Sequence, residues 1–534
     1  MEGRKLMKQA KGKRLLAALL ALAMFVGLTA CGGPSEKTSS PGNDSSEKSA
    51  AESGSKAESS EASAGTNADP VTIDMLLVSD GNSKDKEQQV EDAINAILEP
   101  ALNTTVKFMM VSYADHTEKI NLVLASGDKL DLYEPFQSYD NFYANGYMMD
   151  ISGYGEYYKD IAELLGEGYM ECAQIDGVQY GLPSLKDLAQ DTCVIFRTDA
   201  LEAVNADVND IKNFDDLHDV LVKLKEAYPD ITPLMGGSQG SALGNLRGDF
   251  DNNQMADILG NGLGVLMDPV NSTEVTDYYQ SKSYEQLCNY MYAWKQEGLL
   301  DRDSLTSGLD LMRAGKSLCS GYALSPKATA EAGTSAGSDV TAWKVYVDAN
   351  PLAMTSNAWT WCVNSNCETP ERALEMLNFM YTNKEIQNLL AWGIEGEDYQ
   401  VISDEGVGVI DYMEGQDSGT VNYYQWTKYS FPNNFLQYVM KGTNPHQWEE
   451  MDEWNKSADI SLAMGFNFDA TNVTTQIAAC TNVVNEYNNA LTGGELDPAV
   501  ALPEFIQKLK SAGIDEIVKE KQTQLDQWLE AKKK

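Results

Sequence analysis

Apolar positions switch between two spacings over the early part of the chain. Residues 71–78 are a short, mostly apolar run that predicts a strand. Val90, Ile94, Ile97 and Leu98 then fall at helical spacing on one face, and Pro100 is expected to end that helix. Residues 106–111 predict a second strand. Asp115 followed by Glu118 has the spacing of a capping box, Ile120, Val123 and Leu124 make an apolar face, and Gly127 is placed to close the helix. Residues 130–133 predict a third strand. A β-α-β-α-β series implies a parallel sheet covered by helices, with ligands at the carboxyl ends of its strands. Ser79-Asp80-Gly81 and Glu134-Pro135-Phe136 are therefore candidate pocket loops.

Farther along, Asp176-Gly177 predicts a turn before a short strand, and residues 192–196 a β-rich run ending at Arg197. A helix is expected from about Phe214, with Leu217, Val220, Leu221 and Leu224 inward. Another carries Leu287, Met291 and Trp294 and stops at Gly298. Residues 236–248 are rich in Gly and Ser but lack the phosphate-loop pattern, and predict a loop. Thr369-Pro370-Glu371 is a helix start: a capping hydroxyl, a proline in the first turn and an acid at the positive helix end. The last hundred residues predict mostly helix, ending on Ile514, Ile517, Val518, Leu525 and Trp528. There is no internal repeat.

The first seventy residues change the picture. Arg4, Lys5, Lys8, Lys11, Lys13 and Arg14 precede an apolar run at 15–28 that is short for a bilayer span, the pattern of a cleavable export signal. Residues 32–69 contain no Val, Ile, Leu, Met or aromatic side chain. Such a segment has nothing to bury and is expected to be a solvated tether reaching about 35 Å. The remainder, from about Pro70 to Lys534, exceeds what one core usually holds and predicts two lobes.

The formal charge is −40. Nucleic acid is disfavoured as a partner, and so is an anionic bilayer surface. Seven cysteines follow Cys31, namely Cys172, Cys193, Cys288, Cys319, Cys362, Cys367 and Cys480, and free thiols are expected to outnumber disulfides. With three histidines and no CxxC or HExxH, neither a metal nor another cofactor is implied.

Leu28-Thr29-Ala30-Cys31 resembles the lipobox of bacterial lipoproteins, which implies cleavage before Cys31, acylation of its thiol and attachment, palmitate included, to the outer face of the cell membrane. In the body, Leu124-Ala125-Ser126-Gly127-Asp128 before Asp131-Leu132, the run Gly177-Val178-Gln179-Tyr180-Gly181-Leu182-Pro183, and Ile195-Phe196-Arg197-Thr198-Asp199-Ala200-Leu201 are similar to the extracellular solute-binding lipoproteins of bacterial ABC importers. Trp392-Gly393-Ile394-Glu395-Gly396, Ala463-Met464-Gly465-Phe466 and Leu509-Lys510-Ser511-Ala512-Gly513-Ile514 resemble a subgroup, within the sugar-binding family 1 type, that carries an extra C-terminal domain of undefined role.

The resemblance implies an α/β, two-lobed, periplasmic-binding-protein-like fold of type II, with hinge crossings and a mostly helical C-terminal extension. It divides the chain into a signal peptide (1–30), a tether (31–69), the first part of lobe 1 (70–197), lobe 2 (198–353), a return to lobe 1 (354–400) and a C-terminal region (401–534). It further implies a monomer that captures a solute between its lobes, breaks no bond in it, and docks on the permease subunits of an ABC transporter.

A sugar needs aromatic faces for its C–H surfaces and carboxylates or amides for its hydroxyls. Asp80, Glu134, Trp359, Trp361, Trp392, Glu395, Tyr423 and Trp426 are the candidate ligand contacts, with Tyr424 beside the last two. A peptide importer is the alternative, with Asp80 for a ligand ammonium and Arg197 for its carboxylate. A secreted glycoside hydrolase using Glu134 and Glu395 is a further one.

Overall fold

The computed structural model describes residues 69–533 apart from 80–83, 237–242, 245 and 304. The leader, Cys31, nearly all of the tether and Asp80 thus lie outside the described residues. The predicted series is present as β1 (Val71–Val78), α1 (Lys84–Leu102), β2 (Thr104–Val111), α2 (His116–Ser126) and β3 (Leu132–Tyr133). β1 pairs in parallel with both β2 and β3, with Ile73 opposite Val106 and Met75 opposite Leu132. Strand alternation explains its all-round apolarity. Ile73, Met75 and Leu77 pack with Val90, Ile94 and Leu98 of α1, whereas Leu76 and Val78 pack with Ile120, Val123 and Leu124 of α2. The strands Thr360–Val363 and Leu182–Pro183 extend the sheet beyond β3, each antiparallel to its neighbour.

Three local expectations are corrected. Thr369 precedes the helix Pro370–Thr382, but its hydroxyl makes no cap bond to it. Pro100 does not end α1, which runs to Leu102 before Asn103 turns at φ 52°. So close to the end, a proline removes a single helical donor. Asp115 makes no cap bond to the helix; its carboxylate instead accepts the Ser112 hydroxyl at 2.8 Å. Gly127, in the left-handed region at φ 73°, closes α2 as predicted.

The second lobe is a five-stranded sheet ordered Leu300–Arg302, Leu234–Gly236, Cys319–Ala323, Thr192–Arg197, Val340–Lys344. Helices Phe214–Ala227 and Lys282–Gln296 cover it through Leu217, Leu221, Leu224, Leu287, Met291 and Trp294. The segment 401–534 divides between the two cores. Ile410, Tyr423 and Phe431 pack with Trp361 in the first lobe, while helices Thr474–Thr492, Pro498–Ala512 and Ile514–Lys532 bring Cys480, Leu491, Phe505 and Ile514 against Tyr284 and Cys288. Buried Lys521 ties the last helix down, donating to the carbonyls of Leu259 and Gly264 and to Asn261 Oδ1.

Between the lobes, Ala189–Gln190 and Leu352–Ala353 pair antiparallel, with Asp459–Ile460 alongside. Asn455 Oδ1 braces this crossing by accepting the N–H groups of Leu188 and Ala189. Cys172, Cys193, Cys288, Cys319, Cys362, Cys367 and Cys480 are all buried free thiols. Among the described residues, no helix is long and apolar enough to cross a membrane.

Candidate functional site

The carboxyl ends of β1, β2 and β3 open toward one region, and the chain furnishes it with rings. Tyr113 follows β2, Phe136 follows β3, Trp359 precedes the strand Thr360–Val363, and Trp426 and Tyr429 come from the segment 425–430. That segment is pinned to the end of β1: Thr427 donates to the Val78 carbonyl at 3.1 Å and Gln425 to Ser79 Oγ at 3.1 Å.

The five rings close a circuit. Centroid separations are 5.7 Å from Tyr113 to Phe136, 4.7 Å from Phe136 to Trp359 and 5.0 Å from Trp359 to Tyr429. They are 6.1 Å from Tyr429 to Trp426 and 5.3 Å from Trp426 back to Tyr113. Tyr113 and Trp426 are each 41 % exposed at the rim, while Phe136 is buried at the floor. Phe136 holds φ 49°, a conformation that costs a non-glycine residue about 1–3 kcal/mol, and such strain is typical of functional sites. Beneath it His116 stacks at 3.7 Å, buried, with both ring nitrogens lacking a well-formed hydrogen bond. Burial pushes this imidazole down to about 4, against the nearby Glu134 backbone, so it is neutral at physiological pH.

Polar groups sit beside the rings. Glu134 is 3 % exposed, with Ser184 Oγ at 3.5 Å, and the same hydroxyl donates to the Ser430 carbonyl at 2.7 Å. Lys186 Nζ lies 5.7 Å from the Trp359 ring and 5.6 Å from that of Tyr429, within cation–π range. Burial raises the Glu134 carboxyl well above the usual carboxylate range, against Ser430, Lys186 and Ser184. A raised folded-state value means that the stability contributed by the neutral acid is fully present below the unfolded value near 4.3 and lost as pH climbs through the folded one. Glu134→Gln is therefore expected to match the wild type near pH 4 and to be the more stable of the two at pH 8. Urea unfolding at the two pH values checks this; parallel behaviour of both proteins would refute it.

The second lobe faces the bowl with charge. Asp187, on the crossing segment, pairs with Lys186 at 2.9 Å and with Lys327 at 3.4 Å, and Lys327 reaches Glu331 of the helix Ala328–Ala336 at 3.4 Å. Burial opposes ionisation of Asp187, yet Lys327 and Lys186 hold its carboxyl below the ordinary range. Elsewhere in the second lobe, a cavity of about 460 Å³ is lined by groups such as Asp249, Asp277 and Lys282 and has no aromatic wall. Among the described residues no cluster of His, Cys, Asp and Glu is arranged to hold a metal ion.

Of the predicted contacts, Glu134, Trp359 and Trp426 meet in the bowl. Trp361 and Tyr423 do not: Trp361 is 1 % exposed in a central strand, and Tyr423 is buried with its hydroxyl donating to the Leu390 carbonyl. The strand Thr360–Val363 is buried along its length and carries Trp361 into the core, whereas Trp359 precedes it and turns to the bowl. Trp392 is mostly buried, donating to the Tyr438 carbonyl at 3.1 Å. Glu395 is exposed on a turn whose close approach is internal: a Cβ on Gly393 would meet the Asp398 carboxylate, itself paired with Lys86 at 3.2 Å. Arg197 is held by Asp199 at 2.6 Å.

Tyr113, Phe136, Tyr429 and Lys186 were not singled out as contacts by sequence. Phe136 belongs to a predicted pocket loop, and Tyr113 lies just past the carboxyl end of a predicted strand, so the topological rule extends to both.

The sequence pattern of the bacterial extracellular solute-binding protein family matches residues 85–387, more than half of the chain. The chain belongs to that family. Residues 462–530 match a separate domain of unknown function, DUF3502. This solute-binding protein is 24 % identical over 469 residues to a carbohydrate ABC transporter substrate-binding protein of Streptococcus pneumoniae, covering 85 % of this chain and 90 % of the other. It also superposes on the crystal structure of an N-glycan transport solute binding protein from the same species, with TM-score 0.75, 21 % identity and coverage of 86 % and 99 %. An HMO-binding, ABC-transporter-associated solute binding protein of Bifidobacterium longum infantis gives TM-score 0.59 at 16 % identity, with coverage of 86 % and 99 %. The shared fold is the two-lobed α/β body, and the family is one of binding proteins that act outside the cytoplasm rather than of enzymes.

Proposed function

We propose that this solute-binding protein captures an oligosaccharide between its lobes and hands it to the permease of an ABC importer. The observation that carries the reading is the closed circuit of five aromatic rings at the strand ends, facing the charged helix of the second lobe. Offset aromatic faces suit the apolar faces of successive sugar rings, while Glu134, Ser184 and Lys186 supply acceptors and donors for hydroxyls. The carbohydrate and N-glycan designations of its relatives support the same ligand class. Ligand touching both lobes supplies the differential affinity that favours closure.

The lobe limits are proposed as 70–188 with 354–400 for the first and 191–353 for the second, earlier than the expected boundary at 197 because Thr192–Arg197 pairs with Cys319–Ala323 and Val340–Lys344. The body works as a monomer, anchored through lipid on Cys31 and lifted from the membrane by the tether, which keeps it at high effective concentration near its permease.

Trp426→Ala, at an exposed rim position, is expected to weaken oligosaccharide binding by about 2 kcal/mol, roughly thirtyfold, while leaving the melting temperature of the free protein nearly intact. A thermal-shift panel of oligosaccharides and short peptides on wild type and variant tests both parts. A shift with peptides alone, or cleaved sugar in the mixture, would overturn the reading.

A further inference from the structure

One basic side chain in the cleft, Lys428, makes no ion pair among the described residues. Lys428 opens the turn Lys428–Ser430 that carries Tyr429 into the bowl, two residues after Trp426. Its ammonium stands 4.5 Å from the Trp392 ring and 5.8 Å from that of Tyr424. Its hydrogen bond, to the Gln425 carbonyl, is long at 3.3 Å for a group with three donors. Among the described residues no carboxylate lies within ion-pair distance of it. The other lysines of the cleft are neutralised: Lys186 by Asp187, and Lys327 by Asp187 and Glu331.

Among the described residues, buried Lys521 also lacks an ion pair but donates to three oxygens, whereas Lys428 has one long bond. Acids outnumber bases 80 to 40, so a half-buried lysine with no carboxylate beside it among the described residues goes against the general composition. Burial pushes the amine down to about 8; Glu331, which attracts it, is already engaged by Lys327, which repels it. Aromatic faces return only part of the desolvation cost of an ammonium. A cation held partly dehydrated against Trp392, one residue before the bowl's Tyr429, is arranged for an anion that arrives with the ligand.

We propose that the oligosaccharide is acidic, and that Lys428 receives its carboxylate or sulfate at the edge of the aromatic bowl. The inference rests on the oligosaccharide reading and narrows it. The same turn would then fix both parts of the ligand, Tyr429 and Trp426 stacking a sugar ring and Lys428 pairing with its charge. The rival role, a latch closing on Glu331, would serve neutral and acidic sugars alike.

The test uses the mature chain and matched glycans that differ only in a terminal sialic acid, a uronic acid or a sulfate, measured by calorimetry. Wild type is expected to bind one acidic member at least about tenfold more tightly than its neutral partner, a preference of the size that a desolvated charge pair provides. In Lys428→Met that preference should collapse to within about twofold, and Lys428→Arg should retain most of it, with circular dichroism verifying that both variants fold. Equal binding of acidic and neutral glycans by wild type overturns this inference and leaves the oligosaccharide reading intact. So does a Lys428→Met protein that weakens both alike, which is the latch. Failure to bind any glycan overturns both readings together.

Discussion

Trp361→Ala is expected to remove about 4 kcal/mol of stability, the loss typical of deleting a buried tryptophan side chain. Trp361 sits in the strand Thr360–Val363, between β3 and Leu182–Pro183, in the first core, which also holds Leu182, Leu374, Leu377 and Tyr381. Its indole N–H has no hydrogen-bond partner, so truncation costs packing alone and opens a cavity that the sheet is poorly able to close. Equilibrium unfolding in urea measures it; Trp361→Phe should recover much of the loss by refilling the space. Unchanged stability accompanied by lost ligand affinity would move this residue from the core to the cleft wall.

Gly494→Ala should be nearly as damaging, at about 3 kcal/mol, although it adds only one methyl group. Gly494 follows the helix Thr474–Thr492 at φ 71°, where an L side chain is strained. Its Cβ would lie 2.3 Å from the Met291 carbonyl oxygen and 2.6 Å from Lys295 Cβ, in the helix Lys282–Gln296. The first of these is backbone and has nowhere to go. The methyl therefore pries the C-terminal helices from the second lobe at the place where Leu491 and Phe505 meet Tyr284 and Cys288. Hydrogen exchange should report it as amides in Thr474–Thr492 and Pro498–Ala512 opening on the order of a hundredfold more readily, with the first lobe's exchange little changed. Uniform loss across both lobes, or none, would refute this account of the interface.

How much of the molecule could be read from sequence follows the range of the interactions involved. The β-α-β-α-β series was legible because each segment states its own period, and Gly127 and the Asp176-Gly177 turn are local conformational requirements. Pro100 and Asp115 misled for the opposite reason: a proline near a helix end costs little, and a cap must compete with other partners, here the Ser112 hydroxyl. In the site, Glu134 and the loop carrying Phe136 followed from sheet topology. Trp359 and Trp361 are two positions apart and chemically alike; the second is paired with Leu182 inside the sheet and fills the core, while the first lies before the strand and joins the bowl. Tyr113 and Trp426 touch across more than three hundred residues, and no local pattern records that pairing.

Whether the aromatic bowl holds an oligosaccharide is decided by titrating the mature protein with a panel of purified oligosaccharides, neutral and acidic, in a calorimeter, with the sugar recovered and analysed afterwards. The account predicts saturable one-to-one binding of at least one oligosaccharide at micromolar or tighter affinity, about −8 kcal/mol or better, with the sugar returned uncleaved. No heat from any oligosaccharide together with saturable binding of a short peptide, or recovery of hydrolysed sugar, would contradict it.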